Sequence, residues 1–255
     1  MIVAGPGRRV LRALDLFCGG GGAALGLLAA GFDEVVGIDI VAKHQKVYPG
    51  EFILGDATTP GVNIESFDFV WASPPCQAFT SNGSGEENTH PNLIPQTRAL
   101  LDGHPFTCIE NVPSAPIRKD IMLMGPMVGL PRIRRRRWFE LSFLMFQPPV
   151  IDVDPDLFSS GRGVSITTSM CSSSHFYSRK AIGLPGRVRN SEAREVMGIK
   201  TAMTNAQIGE AVAPPMAEYI GREAIAQILN QMTESWHDRN RIRSQDMCDE
   251  DGTDI

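Results

Sequence analysis

The segment that most constrains this chain is Trp71–Gln77, which reads WASPPCQ. The apolar run Phe67–Ala72 predicts a buried strand, and two prolines separate that strand from Cys76. Each proline fixes one φ angle and removes one N–H donor, so the loop leaves the sheet along a restricted path. This pattern predicts a thiol presented at a functional site, whereas the simpler alternative is a strand-end turn that happens to contain a cysteine.

Length and charge limit the classes of protein that fit. The 255 residues can bury one large core, so we expect one domain with an elaboration. A net charge of −5 provides no global attraction to nucleic acid, so a polyanion has to bind a local basic patch. Five cysteines without CxxC spacing argue against a disulfide framework and indicate a reducing, cytoplasmic compartment. No apolar run reaches the roughly 20 residues of a membrane span, so no membrane partner is expected.

A glycine-rich turn follows the first predicted strand, Val10–Phe17. The turn, Cys18–Gly22, leads into an apolar helix that ends at Gly31. Glycines let a ligand approach the backbone, and the helix N-terminus supplies unpaired N–H groups. The second strand ends at Asp39, about 20 residues beyond the glycines, where nucleotide-binding folds place an acid against ribose hydroxyls. The pair indicates an adenosine-containing cofactor, and the alternative is a tight turn with a solvent-facing acid.

Two more predicted strands end in acids. The third, within 51–57, ends at Asp56, a suitable acceptor for an adenine amino group. The fifth, Phe106–Ile109, ends at Glu110. The carboxyl ends of neighbouring parallel strands lie at one edge of a sheet, so Glu110 and Cys76 are expected to face one pocket.

The most basic segment is 132–137, with five arginines in six positions before Trp138 and Phe139. Alternation along a strand would direct some of these arginines into a cleft, where a phosphate or a base carbonyl is a natural partner. The alternative is a solvated run of charge.

The chain divides into four predicted regions. The main domain covers 1–141, and a loop-rich insertion covers 142–186 because hydrophobic periodicity is poor there. His175 and Cys171 lie in this insertion, but two ligands are too few for a metal site. Helices over 187–235 rejoin the main domain, with Ser191 as a candidate N-cap, and a charged tail from 236 to 255 is predicted to be disordered.

Taken in order, these segments resemble the S-adenosylmethionine-dependent cytosine-5 DNA methyltransferases, in the compact form seen in phages and prophages. The segments that carry the resemblance are DLFCGGGGAALGL (15–27), GID (37–39), GDA (55–57), SPPCQ (73–77), IENV (109–112), RRRWFE (135–140), SEAREVMGI (191–199) and QIGEAVAPP (207–215).

The resemblance implies an α/β fold with a doubly wound, mostly parallel, Rossmann-like sheet of the class I methyltransferase type and a small recognition insertion. It implies methyl transfer from S-adenosylmethionine to C5 of cytosine in double-stranded DNA, after the base is flipped out of the duplex. No metal is needed, and the polar loop 81–90 would close over the site. The expected protein is a monomer in the cytoplasm of a bacterial host, bacterial or phage-encoded, in restriction-modification or phage protection.

The resemblance also assigns residues to roles. It implies that Cys76 is the nucleophile toward C6, that Glu110 contacts ring N3, and that an arginine contacts O2. Counting back from Trp138 selects Arg135 and Arg137, which we favour over Arg134 and Arg136 because the aromatic pair anchors a strand. The implied cofactor-binding residues are Phe17, Gly19, Gly20, Gly21, Gly22, Asp39, Asp56 and Ala57.

Glu210 departs from the family pattern, because the closing motif normally has asparagine at that position. Three alternatives remain open at the level of sequence. They are a cytosine-5 methyltransferase acting on RNA of the transfer RNA type, an inactive DNA-binding decoy, and a NAD-dependent oxidoreductase. The oxidoreductase fits the loose fingerprint of Gly19, Gly21, Ala24 and Asp39 but leaves PPCQ and ENV unexplained.

Overall fold

The structure, a computed structural model, describes residues 9–79, 90–152, 154 and 189–250, with side chains up to 237. The strands are β1 Arg12–Leu16, β2 Glu34–Asp39, β3 Glu51–Leu54, β4 Phe69–Ala72, β5 Thr107–Asn111, β6 Ile121–Leu123 and β7 Arg137–Leu141. The helices are α1 Gly22–Ala30, α2 Ile94–Leu101, α3 Asn190–Met197, α4 Asn205–Glu210 and α5 Pro214–Glu250. The predicted closing loop, apart from residue 90, and most of the recognition insertion, including Cys171 and His175, lie outside the described residues.

The seven strands form one sheet in the order β3-β2-β1-β4-β5-β7-β6. The first five in that order are parallel, and β7 runs antiparallel to both β5 and β6. The order reverses between β1 and β4, and the crevice at the carboxyl ends of such strands is where open α/β sheets bind ligands. The doubly wound, mostly parallel fold predicted from the sequence is therefore confirmed, and the glycine turn and the Cys76 loop both leave the sheet at this point.

The inner strands bury both of their faces, which explains their apolar composition, whereas the edge strand β3 has no buried residue. In β4, Phe69 and Trp71 belong to the core on one face of the sheet, and Val70 and Ala72 belong to the core on the other. Residues of α5 pack in the first core, and residues of α2 pack in the second. Alternate side chains of one strand thus hold helices on opposite faces.

The pairing of α1 with α5 fixes the helix that follows the glycine turn. Gly26 lies so close to α5 that a Cβ atom added there would be 2.1 Å from the carbonyl oxygen of Pro214 and 2.7 Å from Cβ of Ala217. Leu27 of α1 and Ile220 of α5 are fully buried in the same core. The N-terminus of α1 is therefore held at a defined position beside the sheet.

Two boundaries differ from the sequence expectations. Helix α3 begins at Asn190 with Arg189 as its N-cap, so Ser191 lies inside the helix and does not cap it. Helix α5 continues to Glu250, whereas the charged composition predicts a disordered tail from residue 236. Extending a formed helix costs much less than nucleating one, so the packed first half of α5 can propagate into a polar segment. Among the described residues, no helix is both long and apolar enough to span a lipid bilayer.

Candidate active site

A cavity of about 410 Å³ lies at the carboxyl ends of the parallel strands, at the point where the strand order reverses. One wall is the glycine turn after β1, and the opposite wall is the loop after β4 with Cys76. The end of β5 and the start of β7 contribute Glu110 and Arg137, and the C-terminal end of α4 closes the remaining side. Sequence segments more than 190 residues apart therefore meet around one space.

The glycine turn presents backbone to this cavity. Phe17 and Gly19 have φ angles of 58° and 50°, in the left-handed region that costs a residue with a side chain free energy. Gly19 and Gly20 line the cavity, as does Gly22 at the first position of α1. Gly21 does not, because it faces Tyr48 and Pro49, and an added Cβ atom would lie 2.4 Å from Cδ of Pro49.

Asp39 and Asp56, the two acids predicted to bind the cofactor, accept different sets of hydrogen bonds. Both oxygens of Asp39 accept backbone hydrogen bonds, one from the N–H of Gly19 at 2.9 Å and one from that of Val41 at 2.8 Å. One oxygen of Asp56 accepts hydrogen bonds from the backbone N–H and the hydroxyl of Thr58, which lower the pKa of this exposed carboxyl. Both acids line the cavity together with Ala57.

The loop that carries Cys76 is anchored by the neighbouring strands. The side-chain amide of Asn111 on β5 donates to the carbonyl of Pro74 at 2.9 Å, and Asn111 is buried. The backbone N–H of Ser73 donates to Leu16 on β1, and the indole of Trp71 donates to the Ser73 hydroxyl at 2.8 Å. Since two prolines stiffen the same loop, the position of the thiol is closely restricted.

The thiol of Cys76 experiences opposing electrostatic effects. Burial raises its pKa, and this effect exceeds that of the nearby charges. The guanidinium of Arg137 lowers the pKa most, Glu110 raises it, and Arg135 lowers it to a smaller extent. The neutral thiol is therefore favoured in this state, and the two arginines oppose the cost of forming a thiolate.

Glu110 and Arg137 form a buried ion pair at the cavity, with 2.8 Å between Oε1 and Nε. The pair joins β5 to β7, which are antiparallel neighbours. Both side chains are about one-tenth exposed or less. The structure thus brings Cys76, Glu110 and Arg137 to one cavity.

The arginine segment alternates between the interior and the solvent. Arg135 and Arg137 are buried, whereas Arg134 and Arg136 are exposed. Only Arg137 lines the cavity, because the guanidinium of Arg135 donates to the backbone carbonyls of Gly209, at 2.9 Å, and Ala211. The φ angle of Arg135 is 25°, so its backbone, like that of Phe17, has a positive φ that is unfavourable for a residue with a side chain. The two arginines selected together from the sequence therefore have different neighbours.

Two cavity residues have no predicted role from the sequence. Gln207 forms a capping box with Thr204, in which its side-chain oxygen accepts the N–H of Thr204 at 2.8 Å. Its amide nitrogen then faces Nδ1 of buried His44 at 3.0 Å, which makes Nδ1 the acceptor and leaves the proton on Nε2. Burial lowers the pKa of His44, consistent with this neutral ring. The conformation of Gln207 follows a recognisable capping sequence, but His44 carries no local signal.

Asp15 lies at the end of β1, lines the same cavity and is 1% exposed. One oxygen accepts a hydrogen bond from the hydroxyl of Tyr48 at 3.2 Å, and the backbone N–H of Ala24 also interacts with this carboxyl group. Burial raises the pKa of Asp15 to about 8, although the bond from Tyr48 opposes this shift. The sequence motif contains Asp15, but nothing in the sequence reveals a carboxyl that is neutral at neutral pH.

Comparisons with known proteins agree with this geometry. Residues 11–115 match the family model described as "C-5 cytosine-specific DNA methylase". The type II methyltransferase M.HgiDI of Herpetosiphon aurantiacus is 26% identical over 155 residues, which cover 49% of this chain and 50% of that protein. The chain thus matches about half the length of this curated relative.

Two solved structures share the fold. The methyltransferase EhMeth of Entamoeba histolytica has a TM-score of 0.58 at 12% identity, covering 87% of this chain and 99% of that one. A putative DNA modification methyltransferase encoded within an E. coli prophage has a TM-score of 0.52 at 17% identity, covering 86% and 99%. The match to the family model includes the glycine turn, the PPCQ loop and the ENV segment, and it covers less than half of this chain.

Proposed function

We propose that this protein transfers a methyl group from S-adenosylmethionine to C5 of cytosine in double-stranded DNA, through a covalent intermediate on Cys76. The observation that carries the proposal is the single cavity in which Cys76 and the Glu110–Arg137 ion pair face the glycine turn. Methyl transfer between two bound substrates requires a nucleophile and a binding site for the methyl donor in the same cavity, and the glycine turn is of the kind that binds nucleotides.

Cys76 supplies the nucleophile. C5 of cytosine reacts poorly with an electrophile, so the thiolate first adds to C6, forming the Sγ–C6 bond and giving C5 the character of an enamine carbon. S-adenosylmethionine would supply an electrophilic methyl group to that carbon, so that its S–CH3 bond breaks as the C5–CH3 bond forms and neutral S-adenosylhomocysteine leaves. Loss of the C5 proton to solvent water then returns the electron pair to the C5–C6 bond, the Sγ–C6 bond breaks, and the thiolate of Cys76 is regenerated.

Glu110 and Arg137 stabilise the charge that this addition creates. Thiolate addition places negative charge on the N3–C2–O2 portion of the ring, where a carboxyl proton on Glu110 and the guanidinium of Arg137 interact most strongly in the transition state. Glu110 raises the pKa of Cys76, so a contact between this carboxyl group and N3 would link binding of the base to activation of the thiol.

The cavity residues fit the methyl donor. Backbone at Gly19 and Gly20 faces the space without side chains, and Asp39 keeps lone pairs for ribose hydroxyls beyond its two backbone hydrogen bonds. Asp56 is an acceptor suited to the adenine amino group, and Phe17 offers a ring at the same wall. Together with the sulfonium charge of the donor, this acidic lining supports S-adenosylmethionine over an anionic dinucleotide.

The exposed Arg136 offers charge to a DNA backbone beside the cavity, whereas Arg134 forms an ion pair with Asp152 at 3.2 Å. A cytosine within a duplex cannot reach Cys76, so the proposal includes flipping of the base into the cavity. Residues that read the DNA sequence are proposed within 142–186, the insertion that the sequence assigns to recognition. We further propose that the protein acts as a monomer in the cytoplasm.

Incubation with tritiated S-adenosylmethionine and either duplex DNA or transfer RNA tests the substrate. We expect label in DNA only. Label confined to RNA would favour the RNA methyltransferase alternative, and label in neither would favour the inactive decoy. Bisulfite sequencing of DNA from expressing cells identifies the target sequence.

A duplex containing 5-fluorocytosine tests the nucleophile, since fluorine at C5 blocks the final elimination and traps the covalent adduct. We expect an adduct with the native protein and none with Cys76→Ser; an adduct in that variant contradicts the assignment. Arg137→Ala and its neighbour Arg136→Ala form a matched pair. Arg137→Ala, at the buried position, should abolish adduct formation. Arg136→Ala, at the exposed position, should only weaken DNA binding.

A further inference from the structure

We infer that Glu210 makes the cavity discriminate between the positively charged methyl donor and its neutral product, S-adenosylhomocysteine. The inference rests on the proposed function and adds a specificity-determining residue to it. Glu210 is the position at which this chain departs from the family pattern, which has a neutral asparagine there. Replacing that amide with a carboxylate adds a negative charge to the wall of the cavity.

The backbone around Glu210 is fixed from behind. Arg135 donates hydrogen bonds to the carbonyl of Gly209 and to that of Ala211, the residues on either side of Glu210. The N–H of Ala211 in turn donates to Gln207, which ends α4 at Glu210. With both flanking carbonyls held by one buried guanidinium, the segment has little freedom, and Glu210 is among the residues that line the cavity.

The cavity around Glu210 is strongly acidic. Its described lining includes five acids, Asp15, Asp39, Asp56, Glu110 and Glu210, of which Asp15 is neutral at neutral pH because burial raises its pKa to about 8. Among the described lining residues the one lysine or arginine is Arg137, and its charge is matched by the ion pair with Glu110. A cationic ligand is therefore favoured in this space over a neutral ligand of the same shape.

Asp15 lies in the same cavity and does not compete with Glu210 for a bound cation. Its side chain is 1% exposed, and burial raises its pKa to about 8, so its carboxyl group is neutral at neutral pH. The additional carboxylate of Glu210 therefore adds to the charge of Asp39 and Asp56 on the cavity wall.

The nearest charges leave Glu210 free to act on a bound cation. Within the described residues, Lys43 influences Glu210 electrostatically, but the two do not approach within the 4.0 Å of an ion pair. Burial raises the pKa of Glu210, Lys43 lowers it, and Asp39 raises it. A positive charge in the cavity favours the ionised form of Glu210, so ligand charge and carboxylate charge reinforce each other.

The two ligands isolate the effect of one charge. S-adenosylmethionine and S-adenosylhomocysteine share adenine, ribose and amino-acid groups, and they differ by the methyl group and positive charge on sulfur. An interaction of Glu210 with the shared groups would change both affinities equally. An interaction with the sulfonium charge changes only the affinity for the methyl donor.

Isothermal titration calorimetry on the full chain tests this inference with the two ligands and needs no DNA. In Glu210→Gln, the ratio of the two affinities should shift away from S-adenosylmethionine by about three- to tenfold, the size of one partly screened charge interaction. The affinity for S-adenosylhomocysteine should change by less than about twofold. Glu65→Gln removes one exposed carboxylate away from the cavity lining and should leave the ratio unchanged.

Two further measurements sharpen the test. Sinefungin carries a protonated amine in place of the methylsulfonium, so its affinity should follow that of S-adenosylmethionine if Glu210 recognises charge. Glu210→Asn restores the residue typical of the family and should reproduce the result of Glu210→Gln. Equal weakening of all three ligands, or no change in either variant, overturns the inference alone. Failure of the native protein to bind S-adenosylmethionine overturns the proposed function as well.

Discussion

At the scale of single residues, the site combines reactive groups with surroundings that hold them in their neutral forms. Burial raises the pKa of Cys76 and that of Asp15, and the two groups line the same cavity. Each side chain is thus positioned by the fold before its charge is needed. The proposed chemistry requires charge to appear at Cys76 only when a base is bound.

The reactivity of the Cys76 thiol tests this balance. Only the thiolate reacts with iodoacetamide, so alkylation of the free protein should be slow near neutral pH and should rise in alkaline solution. Arg137→Gln removes a charge that lowers the pKa of Cys76 and should move the profile to higher pH, whereas Glu110→Gln should move it to lower pH. Peptide mapping by mass spectrometry identifies the modified cysteine, and Arg136→Gln serves as the exposed control.

Asp15 should impose a pH dependence on stability. Its pKa is about 8 in the folded protein against 3.8 in the unfolded chain, so the folded state binds the additional proton between these values. The free energy of unfolding contributed by this group is fully present below about pH 4, falls as pH rises through that window, and levels off above about pH 8. Urea titrations should show this decline in the native protein and a weaker decline in Asp15→Asn; parallel curves would contradict the assignment.

At the scale of secondary-structure elements, the contact between α1 and α5 decides where the glycine turn lies. Gly26→Ala should destabilise the protein by about 1–3 kcal/mol, because the added methyl meets backbone of α5 and outweighs the gain in helix propensity. Gly55→Ala is the control, since its Cβ atom would meet only Ile38 at 3.7 Å. Chemical denaturation of both variants measures the difference, and equal stability would show that α5 yields to the added methyl.

The second half of α5 should contribute little to the core. Ile228 is the last buried residue of α5 among those with described side chains. A chain that ends at Ser235 should therefore lose less than about 0.5 kcal/mol of unfolding free energy, whereas Ile228→Ala should cost about 2–4 kcal/mol. A large loss on truncation would instead indicate that the segment after 235 packs against the molecule.

At the scale of the whole molecule, ligand binding at the carboxyl ends of the parallel strands should stabilise the folded protein. A ligand that binds only the folded state adds about 2.7 kcal/mol at a hundredfold excess over its Kd. We expect S-adenosylmethionine to raise the melting temperature in a thermal unfolding assay and NAD to leave it unchanged. A shift with NAD alone would favour the oxidoreductase alternative that the glycine fingerprint leaves open.

The fold was largely predictable from local patterns. The five parallel strands are visible as apolar runs, and the boundary of β2 at Asp39 agrees with its prediction. The end of α5 could not be predicted in the same way. The charged composition indicates a polar tail, but it does not show that a packed helix can extend into that tail. The cap of α3 is also predicted wrongly, because serine is a favoured N-cap residue, whereas the helix begins after Arg189, which makes no side-chain cap hydrogen bond.

The sequence by itself determined the types of residue in the site and the strand ends to which they belong, because apolar periodicity and glycine turns are local properties of the chain. Only the tertiary structure decided which of these residues share a cavity. It separated Arg137, beside Glu110, from Arg135, bound to the carbonyls that flank Glu210, and it brought His44 and Asp15 to the cavity without a local signal. Neighbours of this kind depend on how helices and strands far apart in sequence pack together, and burial sets the charge of each side chain only after that packing exists.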